Sequence, residues 1–146
     1  SVVRAYHSTT ALMPDGRVLS TGSGSGGGAT NQNSYEIYSP PYLYQGPRPS
    51  YGLASNVVHY NSTFTITTTA AASITKVHLI RLAATTHAFD QGQRLRRLVF
   101  QVAADGRSLR ATAPLTGKIA PPGPYMLFVV NAAGVPSVGQ IVRVDQ

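Results

Sequence analysis

Short runs of alternating apolar and polar residues recur along most of the chain. In residues 63–67, Phe64 and Ile66 point to one side and the threonines between them to the other, which is the period of a β-strand. Runs that predict further strands cover residues 76–82, 97–102, 109–112, 125–130 and 141–144. Turn signals such as Asp105-Gly106 separate them, so the pattern predicts a series of short strands.

The sequence offers these strands no helix to pack against. It contains one glutamate, 14 glycines and 10 prolines, a composition that disfavours helices, and it is rich in threonine and valine. A strand with one apolar face needs a second layer to cover that face, so we expect a second sheet. Residues 50–146 are therefore predicted to form a Greek-key β-sandwich.

The first forty residues follow a different plan. Residues 11–13, the turn Pro14-Asp15-Gly16 and residues 17–20 are predicted to form a tight hairpin. A glycine-rich loop over residues 22–28 then leads to a third strand at residues 34–38. Three strands cannot close a core alone, but they suit one blade of a propeller.

A run of prolines separates the two parts. Four prolines between residues 40 and 49 predict a stiff, extended linker over residues 41–49. The chain opens without a methionine or a leader pattern, and we expect it to be a piece of a longer protein.

Composition and charge narrow the classes of function. Of the 146 residues 42% are apolar, which is enough for a core, and none is cysteine, which excludes disulfides and thiolate metal sites. The longest wholly apolar run, residues 125–130, is too short to span a membrane. The net charge is +7, but only Arg94, Arg96 and Arg97 cluster and no aromatic residues interleave with them. We therefore expect no nucleic-acid and no membrane partner.

Three other kinds of functional site find little support in the sequence. The glycine-rich loop could cradle a phosphate, but no helix pattern follows it and it lacks the Lys-Ser/Thr ending of a nucleotide loop, so we favour a flexible connection. No Gly-x-Ser-x-Gly elbow is present. Of the five carboxylates, Asp15 and Asp105 lie in turns, which argues against a glycosidase.

Histidine and tyrosine remain as a source of metal chemistry. His87 lies in a loop between strands, and the pair Tyr6-His7 precedes the first hairpin, whereas His59 and His78 are interpreted as surface or structural histidines. Neighbouring residues of a regular strand point to opposite faces, so Tyr6 and His7 can share a metal only from a strand end or a bend. One phenol and two imidazoles suit Cu(II) better than structural zinc.

Several motifs follow one another in a characteristic order. They are Tyr6-His7-Ser8, Pro14-Asp15-Gly16-Arg17-Val18, Glu36-Ile37-Tyr38-Ser39-Pro40-Pro41-Tyr42-Leu43, Arg48-Pro49, Thr86-His87 with Gln93-Arg94 downstream, and residues 121–131 followed by Gly134-Val135-Pro136-Ser137. In order and spacing they resemble the carboxyl-terminal part of copper radical oxidases, the galactose oxidase and glyoxal oxidase family. The resemblance implies an all-β chain. Residues 1–40 would be the last strands of a kelch-type propeller, residues 41–49 a linker and residues 50–146 an immunoglobulin-like β-sandwich.

The resemblance also implies a copper site. Carried over by position, Tyr6 is the axial tyrosine and the base that takes the substrate's proton, His7 is its neighbouring ligand, and His87 is the ligand on a long loop of the sandwich. The family's fourth ligand is a tyrosine crosslinked to a cysteine, which holds a radical, and this chain has no cysteine. We therefore expect a partial site for one Cu(II), which the upstream remainder of the propeller completes.

The function that the resemblance implies is oxidation of primary alcohols or aldehydes, including carbohydrates, with O2 to give H2O2 in a secreted or cell-surface protein. This segment alone is expected to be inactive, because the radical cofactor lies elsewhere. The alternative is a non-catalytic sandwich that binds carbohydrate or a protein partner through Tyr42, Tyr44 and Tyr51, although we prefer packing at the domain boundary for these tyrosines.

Overall fold

The computed structural model describes residues 2–24, 26 and 28–145, and this part of the chain is all-β, as predicted. The strands, numbered along the chain, are β1 (Thr9–Leu12), β2 (Val18–Thr21), β3 (Tyr35–Tyr38), β4 (Gly52–Leu53), β5 (Val57–His59), β6 (Thr63–Thr67), β7 (Ile74–Arg81), β8 (Thr85–Thr86), β9 (Phe89–Asp90), β10 (Leu95–Leu98), β11 (Phe100–Val102), β12 (Ser108–Thr112), β13 (Gly123–Asn131) and β14 (Gln140–Asp145). The helical elements described are two 3₁₀ turns, Pro41–Tyr44 and Ala71–Ser73, and no described helix is long enough to cross a membrane.

Two sheets share one core and form the predicted sandwich. The five-stranded sheet has the order β10-β7-β13-β14-β5 and is antiparallel except for the pair β14–β5. The four-stranded sheet has the order β11-β12-β6-β4 and is antiparallel throughout. Ile66 and Leu109 from the four-stranded sheet meet Leu79, Leu127 and Val142 from the five-stranded sheet in a core from which water is excluded. Burying this apolar surface is what stabilises the sandwich.

The prediction of one strand over residues 97–102 is wrong. Leu98 pairs with Val77 in the five-stranded sheet, whereas Phe100 pairs with Ala111 in the four-stranded sheet. The chain therefore passes from one sheet to the other at Val99, whose side chain is exposed. A corner of this kind joins the two layers of the sandwich.

The proline-rich linker is also not extended throughout. Pro41–Tyr44 forms one of the two 3₁₀ turns, in which the Leu43 N–H donates to the carbonyl of Pro40 (3.0 Å). Proline at the first positions of a helical turn is well tolerated, because its missing N–H would have no partner there. The chain therefore turns before it reaches Arg48 and the first strand of the sandwich.

The predicted amino-terminal hairpin is observed and lies beside the outer face of the five-stranded sheet. β1, β2 and β3 form a separate antiparallel sheet, and Gly16 closes the turn between β1 and β2 with a φ of 83°. Leu12 and Tyr42 line a cavity of about 240 Å³ together with Ile80 and Phe128 of the five-stranded sheet. This neighbour explains why all residues from Tyr125 to Val130 are buried although only alternate ones face the core.

The side chain of Arg48 holds this arrangement together. Its guanidinium donates to the carbonyl of Asp15 in the hairpin turn (2.7 Å) and to the carbonyl of Pro136 (2.9 Å) in the loop before β14. A third donor bonds the carbonyl of Ser137 in the same loop. One planar, permanently charged group thus binds the hairpin, the linker and the sandwich.

Two further bonds support the same junction. The Tyr42 hydroxyl donates to the carbonyl of Gly16, and the Gly139 N–H donates to the carbonyl of Pro14 (2.7 Å). The hairpin turn is therefore fixed both to the linker and to the sandwich.

We expect Arg48→Met to lower the free energy of unfolding by about 2–4 kcal/mol, because it removes charged donors from three part-buried carbonyl groups. Chemical denaturation measures this change. Arg110→Met is the matched control, since Arg110 is exposed on β12, and it should change the stability by less than about 0.5 kcal/mol. Equal losses in the two variants would contradict the role assigned to Arg48.

Candidate metal centre

Tyr6 and His7 lie in a turn that immediately precedes β1. The Ser8 N–H donates to the carbonyl of Ala5 (3.0 Å), and His7 has a φ of 60°, in the left-handed region. In a strand the two side chains would point apart, whereas in this turn their rings stack with centroids 4.0 Å apart and an interplanar angle of 27°. The bend that the shared-metal hypothesis requires is therefore present.

His87 lies at the tip of a two-stranded ribbon, β8–β9, within the segment expected as a loop. Thr86 pairs with Phe89, and the two residues between them, His87 and Ala88, both have positive φ values, 52° and 64°. Two-residue hairpins prefer this backbone, but usually with glycine or asparagine. A non-glycine residue in this region costs about 1–3 kcal/mol, and such strain is found mostly at functional sites.

The three predicted ligand residues converge although His7 and His87 are eighty positions apart in the chain. The His87 ring meets the His7 ring edge-on at 4.9 Å between centroids, and its centroid is 6.1 Å from that of Tyr6. All three side chains are exposed, and Tyr6 keeps 43% of its surface accessible. They form one open cluster between the turn before β1 and the ribbon that follows β7.

The donor types of this cluster fit a cupric ion. One phenol oxygen and two imidazole nitrogens form a nitrogen and oxygen set that suits Cu(II). Among residues 2–24, 26 and 28–145, no group of three or more His, Asp or Glu side chains is placed to hold a metal. Among the described residues of this cluster, the side chain that joins the two imidazoles as a third donor is therefore the phenol of Tyr6 and not a carboxylate.

Sequence reasoning missed a partner of His87. The Thr86 Oγ1 lies 2.7 Å from the His87 Nδ1, in a turn where His87 has a left-handed φ of 52°. A ligating histidine usually donates its second ring N–H to an oxygen, which fixes the ring and its tautomer. If Nδ1–H donates to Thr86, Nε2 is left as the metal ligand. In the sequence, the only signal of this contact is that Thr86 and His87 are adjacent. Adjacent side chains of a regular strand point to opposite faces, so strand alternation argues against the contact.

The other two histidines lie on the sandwich. His59 ends β5, where its exposed ring has Nδ1 2.9 Å from the Oδ1 of Asp145. His78 lies in the middle of β7 and lines the cavity beside the hairpin. Burial lowers the pKa of His78, and the positive charges of Lys76 and Arg97 lower it further. Both positions agree with the interpretation of these residues as surface or structural histidines.

Comparisons with known proteins find a matching family model and individual relatives. A family model for the "Galactose oxidase-like, Early set domain" matches residues 48–144. A galactose oxidase of Gibberella zeae is 40% identical over the whole chain, and the aldehyde oxidase GLOX of Vitis pseudoreticulata is 37% identical over 98% of it. The chain spans only 22% and 30% of the length of these two relatives.

A solved structure agrees with the sequence matches. It is described as a novel fungal alcohol oxidase with catalytic diversity among the AA5 family, in complex with copper. It superimposes on the whole of this chain with a TM-score of 0.90 and 35% identity, and the chain covers 32% of it.

The contact between Thr86 and His87 gives a testable prediction. Thr86→Val should lower the Cu(II) affinity of the chain about tenfold, because the ring loses the oxygen that fixes its orientation. Titration against a competing chelator measures the change. Thr86→Ser should retain the affinity, and Thr85→Val, a neighbouring exposed position of β8, is the control. An equal loss in Thr85→Val would show that the ribbon as a whole, rather than the Thr86 hydroxyl, is responsible.

Proposed function

The chain belongs to the galactose oxidase-like early set domain family, and from this we infer that it is the carboxyl-terminal part of a copper radical oxidase. We propose that Tyr6, His7 and His87 bind one copper ion. The observation that carries the proposal is the convergence of these three rings from distant parts of the chain, at centroid separations of 4.0–6.1 Å. The donor set and the related oxidases support it.

We also propose that the chain consists of three parts. Residues 1–40 supply the last strands of a kelch-type propeller, residues 41–49 are the linker and residues 50–146 form the sandwich. The family match, which begins at residue 48, supports the second boundary. The three-stranded sheet supports the first part, since all four residues of its edge strand β3 are exposed, including Tyr35 and Tyr38. The remainder of the propeller is the partner that we propose for this surface.

The activity that we propose for the whole protein is oxidation of primary alcohols or aldehydes, carbohydrates included, by O2 with release of H2O2. The Tyr6 phenolate accepts the proton of the substrate hydroxyl, and its exposed position leaves it open to a small molecule. His7 and His87 act as neutral imidazole ligands. Copper, when bound, lowers the proton affinity of the phenol and supplies one-electron redox chemistry.

Removal of two electrons needs a second redox group. The Tyr–Cys radical cofactor that we propose for it cannot lie in this chain, which has no cysteine. It belongs to the upstream part of the parent protein, for which we also propose a secreted or cell-surface location.

A non-catalytic sandwich remains the second candidate. Its support is weaker than the sequence suggested, because the Tyr51 hydroxyl donates to the carbonyl of Leu127 (2.6 Å) and accepts from the Gln140 N–H (2.9 Å). Burial raises the pKa of Tyr51 to about 12. Tyr42 is bonded to the hairpin turn, and of the three tyrosines only Tyr44 is strongly exposed, so they form no platform for a sugar ring.

Copper titration of the chain tests the proposed ligands. We expect Cu(II) binding that is weak to moderate, because the family's fourth ligand lies outside the chain, and that is lost in His7→Ala and in His87→Ala. His59→Ala is the control and should leave the affinity unchanged, since His59 pairs with Asp145 on the sandwich. A loss in His59→Ala as large as that in His87→Ala would contradict the site.

A peroxide assay tests the proposal that the radical cofactor lies outside this chain. The chain loaded with Cu(II) should produce no H2O2 from galactose, glyoxal or glycolaldehyde, because it has no cysteine with which to build the radical group. Copper-dependent peroxide production by the purified chain, abolished by Tyr6→Phe, would overturn the assignment of that group to an upstream segment.

A further inference from the structure

We propose that Gly22, Ser23, Gly24 and Gly26 of the glycine-rich loop over residues 22–28 position the turn that carries Tyr6 and His7, and that they orient the Tyr6 phenol and the His7 ring toward the ion. This inference rests on the proposed function of Tyr6 and His7. It goes beyond it by assigning a role to a segment that the sequence interprets as a flexible connection. The described loop residues are 22–24, 26 and 28.

Backbone hydrogen bonds join the loop to the turn. The Gly24 N–H donates to the carbonyl of Tyr6 (2.8 Å), and the Ala5 N–H donates to the Ser23 Oγ (2.9 Å). The Gln32 N–H in turn donates to the carbonyl of Ser23 (3.0 Å). The loop therefore bonds the turn at Ala5 and at Tyr6, and is itself tied to the segment that leads to β3. A loop N–H that is already paired with Tyr6 is not available to cradle a phosphate.

The loop approaches the turn so closely that it requires glycine. A Cβ on Gly22 would lie 2.7 Å from the carbonyl oxygen of His7, which is too close for any side chain. A Cβ on Gly26 would lie 3.1 Å and 3.3 Å from the Cε1 and Cδ1 of the Tyr6 ring. A side chain at position 26 would therefore press on the Tyr6 ring, whereas position 28 of the same loop has open space at the corresponding point.

The conformation of Ser23 shows that the contact between the loop and the turn is maintained despite backbone strain. Its φ of 125° lies in a region that is populated almost entirely by glycine. A glycine there would relieve the strain but would leave the Ala5 N–H without the hydroxyl that accepts from it. The serine is therefore explained by its bond to the turn and not by the needs of a connecting loop.

Arg4 anchors the start of the loop. Its side chain is only 8% exposed, and its guanidinium donates to the carbonyl of Gly22 (2.9 Å), to the carbonyl of Ser34 (3.1 Å) and to the Oε2 of Glu36 (3.1 Å). The segment before the turn, the start of the loop and β3 are joined by one side chain. A loop anchored at this point can hold the phenol at a fixed angle to the His7 ring.

The experiment compares Gly26→Ala with Gly28→Ala. Both positions have positive φ, 150° and 74°, and both variants gain one methyl group in a strained conformation, but only that of Gly26 meets the Tyr6 ring. Three measurements apply: the Cu(II) affinity from titration with the metal alone, the electron paramagnetic resonance spectrum of the Cu(II) chain, and nuclear Overhauser effects between the Tyr6 and His7 rings in the metal-free chain.

We expect Gly26→Ala to lower the Cu(II) affinity about tenfold, to change the resonance spectrum and to weaken the Overhauser effects between the two rings. Gly28→Ala should stay within about twofold of the unsubstituted chain and keep its spectrum. Equal effects of the two variants, or an unchanged spectrum in Gly26→Ala, would overturn the positioning role. Absence of Cu(II) binding to the unsubstituted chain would instead overturn the proposed function, while the metal-free Overhauser effects would still decide the positioning role.

Discussion

The hydrogen bonds of one guanidinium fix the position of the amino-terminal sheet on the sandwich. Arg48 joins the carbonyl of Asp15, in the hairpin turn, to carbonyls in the loop before β14. The candidate ligands lie on opposite sides of this junction: His7 precedes the hairpin, and His87 follows β7 of the sandwich. The distance between their rings therefore depends on an interaction remote from either of them. The planar guanidinium holds its three donors in a fixed geometry, which suits this junction better than a flexible ammonium would.

Backbone strain is concentrated where the three rings meet. His7, His87 and Ala88 have left-handed φ values, and Ser23, which bonds the turn before His7, has another positive value. Each such conformation costs about 1–3 kcal/mol, which the buried core of the sandwich must offset. In these conformations the adjacent rings of Tyr6 and His7 stack, and the Thr86 hydroxyl reaches the His87 ring.

Local pattern predicted much of the sandwich, and its failures have physical causes. The observed bounds of β6 are those predicted from the alternation around Phe64 and Ile66, because one face of that strand faces the core and the other faces solvent. The corner at Val99 was not predictable, since alternation continues on both sides of it and says nothing about which sheet a strand joins. For the candidate site, ligand chemistry and the family resemblance singled out Tyr6, His7 and His87. The glycine-rich loop was recognised as a loop, but its contacts with the turn at Tyr6 were not predicted, because backbone hydrogen bonds and close approaches of glycine do not specify a partner in the sequence.

The exposed edge of β3 has a consequence for the isolated chain. In the part of the chain that the structure describes, β3 pairs with β2 on one side. Its outer backbone groups, flanked by Tyr35, Ile37 and Tyr38, form a template onto which a strand of a second molecule can add. The formal charge of +7 opposes such pairing, since two copies repel each other at low ionic strength. Added salt shortens the range of that repulsion to about 8–10 Å and leaves the edge free to pair. Pairing between copies of the chain along this edge is therefore expected to become more favourable as the ionic strength rises.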